Sequence, residues 1–203
     1  MSAFVDIAGG IPAEQLTPEV REALARLADE NALLRAALTE TKARLGEAEA
    51  VADIDPVTGL ANERELDRQL ERAVSQAHRH GTPAALISID LKGLDAINER
   101  HGRLAGDAAL GHVGRLLQGL IRASDVAART GGGFALLLDH LDPDSAIDTG
   151  ERIARVIAER PLDVGSEEIR IRATVGVATI LPGDRADDVV ERVRRNLERL
   201  KEF

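Results

Sequence analysis

The sequence predicts a domain of the α/β (α+β) type, with a mixed central sheet flanked by helices and a long coiled-coil helix in front of it. Three observations carry this. Apolar residues recur at alternating spacings of four and three from Val20 to Ala52, which is a heptad seam. After Asp53, short alternating apolar runs take turns with segments of helical period. Two of those runs meet at glycine-rich turns, so hairpins as well as crossovers are present.

The elements follow in order. Residues 1–16 lack periodicity and are expected to be a mobile arm. Residues 17–52 form the expected dimerisation helix: Thr17 is the N-cap, Pro18 the first helical residue, and Glu19 faces the positive dipole end. With Leu24, Asn31 and Leu38 at a positions and Leu27 and Leu34 at d, one polar Asn interrupts a leucine seam, the arrangement that favours a parallel, in-register homodimer. A helix folded back on its own domain is the alternative. Pro56 and Gly59 break the chain into a turn, and Asn62 caps a helix to about His80. A strand is expected from Ala84 to Leu91, and helices at 94–101 and 105–123. A hairpin follows at 129–139, then a helix at 144–160, a strand pair around 162–180 and a last helix from Ala186. The turn Gly131, Gly132, Gly133 suits a tight reversal needing positive φ.

Composition narrows the function. The net charge of −9 argues against broad binding of nucleic acid or anionic membranes, so an anionic ligand needs a local arginine cluster. Three Phe and no Trp or Tyr nearly exclude base stacking on aromatics, and the absence of Cys removes disulfides and thiolate chemistry. No signal-peptide pattern opens the sequence and no apolar run approaches a membrane span, so a soluble, cytoplasmic protein is expected.

Residues 53–203 resemble the GGDEF domains of diguanylate cyclases, which join two GTP molecules into cyclic di-GMP. The likeness rests on "DPVTGLAN", on "IDLKGLDAINERHGRLAGDAAL", on the hairpin "RTGGGF", on "ATVGVA" and on "VVERVRRNLERLK", five motifs in order. The resemblance implies that Asp90 stands at a Mg²⁺ ligand, Asn98 and Asp107 at guanine contacts, and Lys201 at a phosphate contact. It also implies a loss. Where the family has two acids between the paired glycines and the phenylalanine, this chain has only Gly133. The family's second strand-end aspartate is Lys92 and its phosphate lysine is Asp95. Metal ligand and proton acceptor go together, which lowers the reaction rate by a factor on the order of 10³ or more. The implied reading is a catalytically inactive domain with no catalytic residues, no working metal and no cofactor, its nucleotide site vestigial.

A second motif of the family looks complete. Arg122-Ala123-Ser124-Asp125 matches its R-x-x-D cyclic di-GMP site nine residues before Gly131, and Arg152 falls at a further family arginine. A guanidinium can fork onto phosphate or a guanine edge. The plain alternative is a surface ion pair between Arg122 and Asp125 worth about 0–1 kcal/mol. The expectation is therefore a cyclic di-GMP effector acting as a dimer on an unidentified protein partner. A nucleotide-independent scaffold and a residual GTP binder or weak cyclase stay open beside it.

Overall fold

The computed structural model describes residues 17–164 and 167–201, so the expected arm at residues 1–16 lies outside the described residues. The chain divides between Ala52 and Asp53. The first part is one helix, α1 (Pro18–Ala52). Its 35 residues span roughly 50 Å at 1.5 Å per residue. The Thr17 hydroxyl accepts from the Val20 N–H at 3.4 Å, the cap the sequence calls for. Leu27, Leu34 and Leu38 stand 55%, 63% and 55% exposed, an apolar row that the isolated helix leaves open to water. Asn31 is exposed among them, while Leu24 is half-buried.

The second part opens with an Asx turn. Asp55 Oδ1 accepts from the Thr58 amide and hydroxyl at 2.9 and 2.7 Å, and Gly59 takes the left-handed φ of 71° that closes the reversal. α2 (Glu63–His80) follows, with the Asn62 side chain accepting from the Glu65 N–H at 3.0 Å, as expected of an N-cap. Then come β1 (Ala84–Lys92), α3 (Leu94–His101), α4 (Arg103–Leu120), β2 (Val126–Thr130), β3 (Gly133–Asp139) and α5 (Pro143–Glu159). The chain continues through β4 (Leu162–Val164), β5 (Glu167–Ile169), β6 (Arg172–Ile180) and α6 (Ala186–Lys201).

Four strands form the central sheet in the order β2-β3-β1-β6, and β4 pairs with β5 apart from it. All three central pairings are antiparallel; among the described residues the parallel element is one bridge, Ala61 to Ala128, which covers the β2 edge. Alternation along β1 explains why both faces need helices. Ile87 and Ile89 enter one core with Ala109, Val113 and Leu117 of α4 and Ile153 of α5; Ala84 and Leu86 enter the other with Leu66 and Leu70 of α2 and Val193 of α6.

The hairpin's first strand begins at Val126 rather than Arg129, and both ends of α4 also differ from expectation. α4 starts at Arg103 rather than Ala105, because Gly102 at φ 82° kinks the chain directly out of α3. It ends at Leu120 rather than Ala123, because Arg122–Asp125 is taken into a turn of its own.

Candidate functional site

The β2–β3 hairpin turns on two residues, Gly131 and Gly132, with Arg129 opposite Phe134 and Thr130 opposite Gly133. None of the three glycines is left-handed, contrary to the expected positive φ. What Gly133 requires is space. It lies opposite Asp90 of β1, and a Cβ built on it would come within 2.0 Å of the Ile89 carbonyl oxygen and 3.3 Å of Asp90 Cα. The neighbouring strand backbone fills the place of a side chain. Arg129 folds over the same turn, donating to the carbonyls of Thr130 and Gly133 with its guanidinium 5.4 Å from the Phe134 ring centroid.

Asp90 lies on the strand face covered by α6, and its Oδ2 is 2.9 Å from Lys201 Nζ on that helix. Sequence reasoning assigned the two to separate roles, a metal ligand and a phosphate contact; the structure brings them together as an ion pair. Asn98, half-buried on α3, leans on Gly106 of α4 so closely that a Cβ there would fall 1.9 Å from its Oδ1. Asp107, the next residue, is exposed and one turn further along α4 than a first-turn acid would be. Lys92 and Asp95 are both exposed at the start of α3.

The R-x-x-D segment forms a closed turn. The Arg122 N–H donates to Asp125 Oδ2 at 2.8 Å, the Asp125 N–H to the Arg122 carbonyl at 3.1 Å, and the Asp139 N–H to Asp125 Oδ1 at 3.3 Å. Asp125 is thus spent on backbone donors, so the side-chain ion pair with Arg122 does not form. The Arg122 guanidinium has no hydrogen bond or ion pair with a described residue. It borders an open cleft of about 470 Å³ that also touches Glu65, Gln118 and Asp125. Arg152 sits exposed on α5 and does not line that cleft.

One cluster escaped the sequence reading. Asp53, with its side chain 8% exposed, receives Arg64 at 2.5 Å and Arg68 at 2.6 Å from one face of α2. The hydrogen bond from Arg68, then that from Arg64, holds the Asp53 carboxyl below the usual carboxylate range against the opposing effect of burial. The four-residue spacing of Arg64 and Arg68 was the available signal.

A family model described as "Diguanylate cyclase, GGDEF domain" matches residues 52–203. The chain belongs to the GGDEF family. Among curated relatives, the bifunctional diguanylate cyclase/cyclic di-GMP phosphodiesterase MucR of Pseudomonas aeruginosa is 36% identical over 131 residues, covering 64% of this chain and 19% of the relative. The diguanylate cyclase DgcP of the same organism is 32% identical over 148 residues, covering 72% of this chain and 22% of the relative. This GGDEF chain therefore spans about a fifth of the length of these relatives. Among solved structures, the coiled coil and GGDEF domain of DgcB from Caulobacter crescentus in complex with cyclic di-GMP superposes with a TM-score of 0.74 at 27% identity, covering 88% of this chain and 93% of that one. A microbial GGDEF domain described in a novel interaction mode with cyclic di-GMP gives a TM-score of 0.64 at 28% identity, with coverages of 74% and 94%. Among the described residues no helix is long and apolar enough to cross a membrane.

Proposed function

We infer that this GGDEF chain is a cyclic di-GMP effector that has lost cyclase chemistry, binds its ligand at Arg122 and Asp125, and signals as a dimer to a protein partner. The observation that carries this reading is the division of labour in the R-x-x-D turn. Asp125 is committed to three backbone contacts, which fixes the turn and leaves Arg122 exposed, unpaired and beside an open cleft. A guanidinium carried on a fixed turn, with no ion pair to a described residue, is suited to fork onto a phosphate or a guanine edge. Two ligand-bound GGDEF neighbours support the ligand class.

The loss of chemistry is supported by the other half of the domain. Two-metal or one-metal phosphoryl chemistry needs hard oxygen ligands held together. Asp90 is neutralised by Lys201, and the facing position Gly133 has no room for a carboxylate. Arg152 stands apart from the Arg122 cleft, so within one copy it is not a third contact; its part in binding would come through a ligand shared between copies. Dimerisation is supported by the exposed leucine row of α1.

Incubating the full chain with GTP and Mg²⁺ or Mn²⁺ and following nucleotides by chromatography tests the inactive half: no cyclic di-GMP is expected, and its formation would overturn that half. A thermal-shift series with cyclic di-GMP tests the binding half. A rise in Tm that Arg122→Ala abolishes is expected, while an unchanged Tm in the unmutated chain favours the nucleotide-independent scaffold.

A further inference from the structure

The central sheet has two edges, and they are closed differently. At β2, Ala61 lies alongside: its N–H donates to the Ala127 carbonyl at 3.1 Å and its carbonyl accepts from the Arg129 N–H at 2.8 Å. At β6, side chains of α6 stand in for a strand. Arg192 donates to the Thr179 carbonyl at 2.6 Å and Asn196 to the Val177 carbonyl at 2.8 Å. Those carbonyls therefore point away from β1, and by the two-residue period of a strand so do the backbone groups of Val175. The N–H groups of Val175 and Val177 and the carbonyl of Val175 have no hydrogen bond with a described residue. This open stretch is the floor of a slot of about 410 Å³ between α5 and α6. Both helices stand close to the strand: a Cβ on Gly150 would lie 3.0 Å from Val177 Cγ2, and one on Gly176 2.8 Å from Leu197 Cβ. Ile147 and Ala154 line the α5 wall and Leu200 the α6 wall, with Ile147 and Leu200 52% and 53% exposed. Among the described residues Glu151 is the one charged side chain lining the slot, and it has no ion pair with them.

We propose that the slot over β6 receives one extended peptide strand of a partner protein, apolar or β-branched along its middle and carrying a basic residue that meets Glu151. The backbone selects the class of ligand. Unpaired donors and acceptors at strand spacing are matched by another strand, which adds to the sheet through main-chain bonds while its side chains give specificity. Successive residues of the incoming strand project to opposite faces, one set toward Ile147, Ala154 and Glu151 and the other toward Leu200. Arg192 and Asn196 already occupy the carbonyls of Thr179 and Val177, so the added pairing is short and centred on Val175. A second copy is the poorer occupant, because its own sheet edge arrives with covering helices that would meet α5 and α6, whereas a lone strand brings none. Charge points the same way: Glu151 and a net charge of −9 favour a basic segment. The slot lies on elements other than the Arg122 turn, so it stands or falls independently of the cyclic di-GMP reading.

The test is amide hydrogen exchange by NMR on the full chain, alone and with a capped hexapeptide of sequence KVTVTK, beside its acidic counterpart EVTVTE. In the free chain the Val175 and Val177 amides should exchange about tenfold or more faster than those of Gly176 and Ala178, which face β1. KVTVTK should slow Val175 and Val177 selectively and saturably, and EVTVTE should do so more weakly. Val175→Pro removes the outward donor at a position where an edge strand tolerates proline, and should weaken the peptide about tenfold. Glu151→Lys should reverse the preference in favour of EVTVTE, a gain that an unfolded variant cannot give. The proposal is overturned if the two amides are already protected in the dilute free chain, which would mean that the chain's own residues fill the slot, or if their protection grows with protein concentration, which would assign the edge to a second copy. It is equally overturned if neither peptide protects them, or if Val175→Pro binds KVTVTK as well as the unmutated chain does.

Discussion

Gly133 joins a steric fact to a chemical one. The strand backbone that occupies its Cβ position also holds Asp90, so this position has no room for the acid of the family motif. Gly133→Glu should destabilise the domain by about 1–3 kcal/mol, as overpacking does, and should yield no cyclic di-GMP from GTP; a melting curve and a product assay check the two halves. Asp53 and Asp184 contribute to the acid limb of stability. Arg68 and Arg64 lower the first carboxyl and Arg192 the second, each by hydrogen bonding before charge. A carboxyl whose folded value is depressed contributes stability that is present above its unfolded value, about 4, and lost as pH falls through the folded value. Stability should therefore be flat from neutrality to about pH 5 and fall below about pH 4. Asp53→Asn should flatten that fall, which urea midpoints at several pH values would show. At single positions the sequence was a partial guide. It marked Asp90, Lys201, Arg122 and Asp125 by motif, but it could not show that Asp90 and Lys201 meet or that Asp125 spends itself on backbone donors, since both depend on which strand ends and helix turns lie side by side.

Elements were more legible than contacts. Asn62 and Thr17 announced helix starts because capping is local chemistry, and the alternation in β1 announced a strand because period two is local geometry. The end of α4 was not legible. Residues 121–123 continue a helical pattern, yet the backbone bonds of the Arg122–Asp125 turn outweigh that propensity. The antiparallel order of the central sheet also comes from tertiary packing rather than from any local run. For α1 the heptad reading has its own test. Leu27→Asp or Leu34→Asp should convert a dimer to a monomer in sedimentation equilibrium, whereas Asn31→Leu should raise the melting temperature and admit higher oligomers. A monomeric unmutated chain at tens of micromolar, on the order expected for a working coiled coil, would remove the dimer from the proposal.

The sheet end at Asp90 pairs that carboxylate with Lys201 and sets Lys92 opposite Arg172, while Arg122 in the turn before β2 has no ion pair with a described residue and borders a cleft. On the proposed reading, an acidic chain with so few aromatics would recognise a guanine dinucleotide through directed hydrogen bonds, and linking two copies through α1 would raise the effective concentration of the second site. Calorimetric titration of cyclic di-GMP into the full chain in EDTA, beside Arg122→Ala, tests this most directly. Saturable heat with affinity in the micromolar range or better, lost in Arg122→Ala, is the predicted result. No heat at ligand concentrations on the order of tens of micromolar, or equal binding in Arg122→Ala, would contradict it.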